Sequence, residues 1–558
     1  MTELVVSALL FLPLAAGAFW YSFAIIFRRF FTRKSTVLYD LPSVGKPRAD
    51  SQRIKGTAAV CGGSFSGLWT ARILSDHFED VLIVEPEVWL GTSEGRDTLY
   101  DEKGIKLGPT HPRTRVQQYT TAHALQPLSY KALKHLFPNI DEEVKKSDGR
   151  LSIADFKVHF SGGQIMQPPE DKRRPEDRLQ NFFFSRDAYE RLLRRLVMSS
   201  SSRIRWLAGT AVSVRTVKND PMTLSSVVVR LPDNSEQVIE AALVADCSGT
   251  SQAGLKWLKR VGAKADETPG KLLSLADLRL SYQTVQQTRT YRFYVPPEAR
   301  DKLPLPNGYE NTAWIYSCMP MFGVSSKSFL ADRIEGHRIR LMFGSWGDEP
   351  LPDFSDIKEF FGSLSPEESV PDWFMSMLDI LLEYEHLAEV SSSKYPVLSC
   401  IRYEQAAYLP SNFVAIGDSV MQVNPTFAQG CSKACVGAIT LDSILRSRST
   451  KNSTSIPAGF SRRFFKKLVC KTSSAWEGTK PIDYLFHTTI PVKGEKLSDE
   501  RLKGRMMLTI MLLARTDKSI DSALFNVVNF LAPPTDLIHP ITIAKVLLFW
   551  ARQQFCLA

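Results

Sequence analysis

Hydrophobic positions along the chain fall into two main patterns, and each predicts a different kind of element. Short apolar runs at residues 57–62, 81–84 and 413–416 are typical of strands buried on both faces of a parallel sheet. Apolar residues spaced by three and four positions over 68–78 and 431–445 predict helices. The order strand, helix, strand in the first of these regions predicts an α/β fold.

The middle and the end of the chain have patterns of their own. Residues 227–239 alternate around a polar turn and predict a hairpin. Further strands are predicted at residues 278–282, 290–295, 312–319 and 337–343, which together would form a second sheet. After residue 450 the pattern is helical, with apolar stretches at 506–513 and 541–550 that are too short to cross a membrane.

The amino terminus contains the longest uncharged run, residues 4–27. As a helix it would extend about 36 Å, enough to cross a hydrocarbon core of about 30 Å. The basic group that follows, Arg28, Arg29, Arg33 and Lys34, predicts that the rest of the chain lies in the cytosol. We therefore expect a single-pass membrane anchor, with a cleaved or re-entrant segment as the alternative. In a eukaryote the endoplasmic reticulum would be the expected membrane.

Charge and cysteine content narrow the classes of function. The 69 Lys and Arg residues exceed the 59 Asp and Glu residues by ten, but basic and aromatic residues are not interleaved as in nucleic-acid-binding surfaces. The eight cysteines are scattered and predict neither a disulfide framework nor a zinc site. Cys431 and Cys435 share a helix face, but no further ligand accompanies them. We expect no metal and no nucleic-acid partner.

A glycine-rich turn between the first predicted strand and helix carries the first chemical signal. It is followed by a second strand that ends at an acidic residue, which is the arrangement of a dinucleotide-binding unit. Its helix N-terminus would face a pyrophosphate, and the acid would accept hydrogen bonds from ribose hydroxyls. The residues concerned are Gly62, Gly63, Ser64, Ser66, Gly67 and Glu85, with Ser64 at the position of the second glycine.

A second signal follows the strand at 413–416. Gly417 and Asp418 end that strand, and Pro425 and Gly430 lead into the next predicted helix. An aspartate here suits a ribityl hydroxyl, and the peptide N–H groups near Gly430 suit the pyrimidine edge of a flavin.

Together these stretches resemble a known superfamily. The motifs V-x-G-G-S-x-S-G-L and G-D-S-x-x-x-x-N-P-x-x-x-x-G are similar to those of FAD-dependent aromatic hydroxylases and epoxidases, above all the squalene epoxidase-like and polyether epoxidase-like flavoproteins. The resemblance implies cofactor contacts from Arg115, on a helix over 115–119, from Arg186 and from Asp246 of a D-x-x-G element. Ala428 stands where such relatives often have glycine.

The resemblance also implies an activity. FAD would be reduced by NAD(P)H or by an external reductase, and one oxygen atom from O2 would pass through a flavin C4a-hydroperoxide to an apolar substrate such as a terpenoid or polyene. Epoxidation is the first expectation and hydroxylation the second. Tyr282 and Trp314 are the candidate pocket residues. The alternatives are a flavin-dependent prenyl reductase or dehydrogenase, a flavin halogenase, which the lack of a W-x-W-x-I-P run disfavours, and a non-catalytic membrane-bound scaffold.

The predicted architecture is a Rossmann-like FAD-binding domain interleaved with a β-sheet substrate domain. Its parts are an anchor with basic flank at 1–34, a linker at 35–55, the FAD-binding domain at 56–265 and 396–450, the substrate-covering sheet at 266–395 and a helical region at 451–558.

Overall fold

The computed structural model describes residues 24–556, apart from 102–112, 114, 117, 171–177, 263–271, 365–366 and 368. The strands in chain order are β1 (Ile54–Cys61), β2 (Phe78–Glu85), β3 (Arg150–Ile153), β4 (Val158–Phe160), β5 (Gly163–Ile165), β6 (Gln180–Phe183), β7 (Ile204–Ala208), β8 (Thr210–Val217), β9 (Asp220–Arg230), β10 (Glu236–Glu240), β11 (Leu243–Asp246), β12 (Arg279–Tyr282), β13 (Gln286–Tyr294), β14 (Trp314–Met319), β15 (Lys327–Ile334), β16 (Arg338–Trp346), β17 (Ala388–Lys394), β18 (Leu398–Ile401), β19 (Phe413–Ala415) and β20 (Met421–Gln422).

The helices in chain order are α1 (residues 24–35), α2 (Phe65–Leu74), α3 (Ser93–Arg96), α4 (Pro127–Leu136), α5 (Ile140–Lys146), α6 (Arg186–Ser200), α7 (Ala253–Gly262), α8 (Pro297–Arg300), α9 (Gly308–Asn311), α10 (Ile357–Gly362), α11 (Asp372–Leu382), α12 (Gly430–Leu445), α13 (Phe460–Asp483), α14 (Arg501–Ala514), α15 (Lys518–Val528) and α16 (Pro540–Cys556).

A five-stranded parallel sheet forms the first layer, in the order β19-β11-β1-β2-β7. Its central strands are almost wholly apolar because helices cover both faces, as the short apolar runs predict. The predicted helix at 68–78 instead forms as α2, Phe65–Leu74. The chain turns at residues 75–77, where the buried His77 ring bonds Asp442 at 2.8 Å, and β2 then begins at Phe78.

A seven-stranded sheet forms the second layer, in the order β17-β13-β16-β15-β14-β4-β5. Its members β13 to β17 match the predicted substrate sheet, but the strand predicted at 278–282 does not join it: as β12 it pairs with β18 in a separate three-stranded sheet. Strands β4 and β5, however, come from within the range 56–265 that the sequence assigns to the FAD-binding domain. They add to the edge at β14, where β4 pairs in parallel. The chain therefore crosses between the two layers more often than the sequence indicates.

The carboxy-terminal helices pack on both layers. Phe464 and Leu468 of α13 belong to the core cluster around the parallel sheet, together with Val414. Ile510 of α14 and Leu524 of α15 pack against the second sheet. This packing encloses the space between the second sheet and the parallel sheet on a third side.

The predicted anchor lies largely outside the described residues, since only its last four positions fall in α1. Among the helices of the described ranges, none combines the length and the apolarity that crossing a bilayer requires. Helix α1 is held in place by a bidentate pair between Arg28 and Asp536, with Nη2–Oδ2 at 2.8 Å. The predicted linker at 35–55 also packs, since Val37, Leu41 and Val44 are buried.

Candidate cofactor and substrate site

The turn between β1 and α2 leaves no room for side chains at its two outer glycines. Gly62 has a φ of +123°, and a Cβ there would lie 2.3 Å from the Cys247 carbonyl oxygen. A Cβ on Gly67 would lie 1.7 Å from the Gly62 carbonyl oxygen. No side chain caps the N-terminus of α2, and Ser64 and Ser66 line a cavity in front of it. The free N–H groups of this first turn can therefore receive an anion.

The early turn and the late Gly-Asp loop meet in space, as the resemblance implies. Gly417 has a φ of +69°, and a Cβ there would lie 2.1 Å from the Ser66 Oγ. Asp418, next in the chain, lines the same cavity as Ser66 and has a side chain 43% exposed. The Lys433 Nζ lies 3.1 Å from the Asp418 Oδ1 and is itself almost fully buried. The two signals thus form one crevice.

A single cavity of about 690 Å³ connects this crevice to an apolar chamber. That volume lies within the usual range for small-molecule sites. Pro425, Gly430 and Arg186 line the cofactor side. The other side is lined by the second sheet, including Trp314, and by residues of α14 and α15: Met506, Met507, Ile510, Met511, Leu524 and Val527.

Tyr282 does not belong to this lining, which corrects its assignment as a pocket residue. Its ring is buried against Trp476 and Tyr484, and its hydroxyl donates to the Asp483 Oδ2 at 2.8 Å. The predicted strand is present, but this side chain faces α13 and not the chamber. Alternation along a strand identifies a buried face without telling which layer covers it.

Glu85 ends β2 as predicted, and its carboxylate is already engaged. Its Oε2 accepts from the Gly63 N–H at 2.7 Å and its Oε1 from the Glu87 N–H at 3.2 Å. Burial raises the pKa of Glu85, while the nearby Arg113 guanidinium, at 3.6 Å, acts in the opposite direction. The carboxylate therefore fixes the glycine turn whether or not it also binds a ribose.

Arg113, and not Arg115, is the arginine that reaches the glycine turn. Its guanidinium pairs with Glu85, Glu87 and Glu190. Arg115 is exposed, and the residues described around it are not helical, contrary to the expected helix over 115–119. The sequence Arg-Thr-Arg offers both side chains, and only the path of the loop decides between them.

Arg186 begins α6 and lines the cavity as the resemblance implies. Its guanidinium lies 5.2 Å from the Phe65 ring centroid, and its Nε has no hydrogen-bond partner among the described residues. The neighbouring His123 also lines the cavity, and burial, with Arg186 nearby, lowers the pKa of His123 to about 3. The Arg186 Nε also lies 3.9 Å from the Glu190 Oε2. A guanidinium in the cavity wall beside a helix N-terminus fits a pyrophosphate.

A buried carboxylate, Glu190, neutralises the positive charge of the arginines beside the glycine turn. Its Oε2 accepts from the Ser64 Oγ at 2.8 Å, and its Oε1 accepts from Arg113 and from the Arg194 Nη2 at 2.6 Å. Burial alone would favour the neutral acid, but Arg113, Arg194 and Arg186 hold the pKa of Glu190 below its ordinary value. Sequence reasoning missed this residue, although it lies one helical turn after Arg186.

Asp246 supports the site from below and does not line the cavity. Its carboxylate is fully buried and accepts from the Ser248 N–H at 2.9 Å, the Gly254 N–H at 2.8 Å and the Ser419 Oγ at 3.2 Å. Gly249, which does line the cavity, donates its N–H to the same Ser419 hydroxyl at 3.0 Å. Asp246 therefore ties the D-x-x-G turn to the Gly-Asp loop, which corrects its assignment as a direct cofactor contact.

A second buried carboxylate, Asp483, supports the loop at 424–426. Its Oδ1 accepts from the Asn424 Nδ2 at 2.6 Å, and Asn424 also donates to the Gln286 Oε1 at 3.0 Å. Burial raises the pKa of Asp483 to about 7. Two residues further along, Ala428 has a φ of +57°, a left-handed conformation that suits the glycine which the resemblance implies at this position.

No grouping of His, Cys, Asp and Glu suited to a metal ion occurs in the ranges that the structure describes. The residues in the crevice fit FAD instead. Glycines that admit no Cβ, an uncapped helix N-terminus, the Arg186 guanidinium and the Asp418 carboxylate border it together. These are donors and acceptors for a dinucleotide with a ribityl chain.

Comparison with known proteins gives distant similarities. No family model matches. The protein Rv3254 of Mycobacterium tuberculosis is 22% identical over 448 residues, covering 78% of this chain and 81% of that protein. Solved structures with a similar course of the chain include a triple mutant of the flavin-dependent brominase Bmp2, with 13% identity, 88% of this chain and 98% of that one covered, and a TM-score of 0.49.

Two oxygenases belong to the same group of structures. The probable FAD-dependent monooxygenase PqsL of Pseudomonas aeruginosa has 13% identity, covers 77% of this chain and 97% of its own, and gives a TM-score of 0.45. A mutant 2-methyl-3-hydroxypyridine-5-carboxylic acid oxygenase is 14% identical. The match covers 83% of this chain and 98% of that one, with a TM-score of 0.47.

Proposed function

We propose that the chain is an FAD-dependent monooxygenase that places one oxygen atom from O2 on a small molecule with a large apolar part. The observation that carries this proposal is the continuity of one cavity. It runs from the glycine turn and the Gly417–Asp418 loop into a chamber between the second sheet and helices α14 and α15. A cofactor bound in the crevice would therefore face the substrate directly.

Different residues of the crevice would bind different parts of the cofactor. The first turn of α2 and the Arg186 guanidinium would hold the pyrophosphate. Asp418 would accept hydrogen bonds from the ribityl chain, with Lys433 fixing its carboxylate. The segment from Pro425 to Gly430 would border the flavin ring, at the N-terminus of α12. When bound, the flavin supplies the reaction with O2 and the oxygen atom that is transferred.

The chamber excludes water and orients the substrate. Its wall on α14 consists of Met506, Met507, Ile510 and Met511, which are flexible or branched apolar side chains that adapt to an extended hydrocarbon. Trp314 contributes a rigid surface opposite, and its Nε1 donates to the Ser317 Oγ at 2.6 Å. Shielding the reacting atoms from water suppresses wasteful reduction of O2. Epoxidation of an alkene is the first reaction we propose, and hydroxylation the second.

We also propose that the enzyme works at a membrane. Near the cavity, Ile538 both lines the chamber and is exposed. Helix α1 exposes Ile26 and Phe30, and α16 exposes Leu547 and Leu548. The Arg28–Asp536 pair joins α1 to the turn at Pro534–Asp536, four residues before α16 begins, and the uncharged run 4–27 overlaps the start of α1. An apolar surface of this kind next to a chamber suits substrates that dissolve in lipid.

The test is turnover by the FAD-loaded full chain against a panel of alkenes and phenols, with NADPH or an added reductase as the electron donor. The proposal predicts O2-dependent products heavier by one oxygen atom, detected by mass spectrometry. A saturated product formed without O2 would favour the reductase instead. Halogenated products formed only with added halide would favour the halogenase. An Asp418→Ala variant, expected to lose FAD, serves as the control for reactions that do not need the site.

A further inference from the structure

Two glutamine side chains interrupt the apolar lining of the cavity. Gln126 immediately precedes α4, and Gln429 immediately precedes α12. Both line the cavity, and they are only 2% and 6% exposed. They lie far apart in the sequence: Gln126 belongs to neither cofactor motif, and Gln429 is a variable position of the second motif, directly before Gly430.

Both amides are held in one orientation by the same carbonyl. The Gln126 Nε2 donates to the Val528 carbonyl oxygen at 3.0 Å, and the Gln429 Nε2 donates to it at 3.1 Å. Val528 is the last residue of α15, where the carbonyl has no partner within its own helix. Because a carbonyl oxygen only accepts, the NH2 group of each glutamine must point to it. The Oε1 atom of each must then point elsewhere.

Those two Oε1 atoms are buried acceptors without partners among the described residues. A buried acceptor left without a donor is destabilising, so such groups in native proteins call for an explanation. Thr288, which also lines the cavity, adds a hydroxyl without a partner. The same lining includes the apolar side chains of Ala124, Phe427 and Val527, which offer no hydrogen bond.

We infer that Gln126 and Gln429 form a polar subsite that binds the hydroxyl group of an otherwise apolar substrate, an alcohol or a phenol. Acceptor atoms in an apolar pocket select a donor, and they reject a carboxylate or a phosphate, which brings only further acceptors. A plain hydrocarbon would leave both oxygens unpaired. The inference rests on the proposed function for its substrate, and it narrows that substrate from apolar molecules in general to hydroxylated ones.

A matched pair of ligands tests the subsite without turnover. Farnesol and its methyl ether share one apolar skeleton, but only the alcohol donates a hydrogen bond. Their affinities for the full chain, loaded with FAD where it binds, are measured by quenching of tryptophan fluorescence, since Trp314 lines the chamber. We expect the alcohol to bind about tenfold more tightly than the ether.

The variant Gln126→Met/Gln429→Met should lose this preference and bind both ligands about equally, while exposed Gln180→Met keeps it. General loosening of the chamber would weaken the binding of both ligands and leave the ratio of their affinities unchanged. An unchanged ratio in the double variant, or no preference in the wild type, would overturn the subsite. Loss of FAD with the preference intact would show that the two oxygens serve the cofactor, which would also overturn it. A protein that never binds FAD but prefers the alcohol would contradict the proposed function alone.

Discussion

Single residues decide how closely the two motif regions approach. Gly62 and Gly67 are recognisable from the sequence, because a tight turn into a helix requires glycine at those positions. The contact between Gly417 and Ser66 cannot be recognised from the sequence, because the two residues belong to motifs that only the folded sheet brings together. The same limit applies to the choice between Arg113 and Arg115, which depends on the path of a loop. It also applies to Glu190, whose role depends on the face of the helix on which it lies.

The first prediction concerns Gly417. Alanine there should lower the free energy of unfolding by about 2 kcal/mol, since it adds a left-handed strain and a Cβ close to the Ser66 Oγ. Gly362→Ala is the matched control, because a Cβ at that position meets nothing within 4 Å. Urea unfolding of the two variants measures the difference. Equal stabilities would show that the two loops do not touch.

The second prediction concerns Asp418. Replacing it by alanine should weaken FAD binding at least about tenfold, because one desolvated charge-assisted hydrogen bond is lost. The flavin-to-protein ratio after gel filtration measures the effect. Asp418→Asn keeps a partner for the buried Lys433, so it separates cofactor binding from folding, and exposed Asp301→Ala is the neutral control. A ratio unchanged in both Asp418 variants would refute the placement of the ribityl chain.

At the scale of elements, the sequence predicts where strands and helices lie better than it predicts which other elements pack against them. The buried runs at 57–62, 81–84 and 413–416 all lie in one parallel sheet, because only strands covered on both faces are apolar throughout. The alternation that includes Tyr282 is also right, but the ring faces α13 and not the chamber. Strands β4 and β5 are too short to be recognised, and they gain stability only from pairing at an existing edge.

The third prediction is a pH dependence that arises where α13 supports the loop at 424–426. Since the pKa of Asp483 is raised to about 7, the folded protein keeps a proton there that the unfolded chain releases near its ordinary pKa. Stability from this group is therefore lost as the pH rises through that window. The melting temperature should fall between about pH 4 and about pH 7, the interval between the ordinary and the raised pKa.

Asp483→Asn, which resembles the protonated acid, should flatten that decline. Other buried acids such as Asp246 titrate in both proteins, so the comparison of the two curves isolates Asp483. Parallel curves for the wild type and the variant would contradict the assignment.

At the scale of the whole molecule, the substrate chamber arises from three distant parts of the chain. The second sheet, the motif loops and helices α14 and α15 each contribute one wall. The sequence predicts that a sheet covers the cofactor, but the contribution of the methionines on α14 is not visible in it. An apolar helix face indicates burial without telling whether it covers a core or a cavity.

The fourth prediction concerns membrane association of the whole chain. Removing residues 1–23 should lower the fraction that sediments with phospholipid vesicles, while the fold persists because α1 stays tied through Arg28. Adding Leu547→Ser and Leu548→Ser, both on exposed positions of α16, should reduce it further. Equal sedimentation of the full chain and the doubly altered chain would contradict a membrane site at this end.

The central claim is that the early glycine turn and the late Gly-Asp loop hold one FAD between them. The most direct measurement is the FAD content of the purified full chain after incubation with the cofactor and removal of the excess, judged by flavin absorbance relative to protein. The account predicts a yellow protein with close to one FAD per chain. A folded protein that remains colourless under these conditions would contradict it.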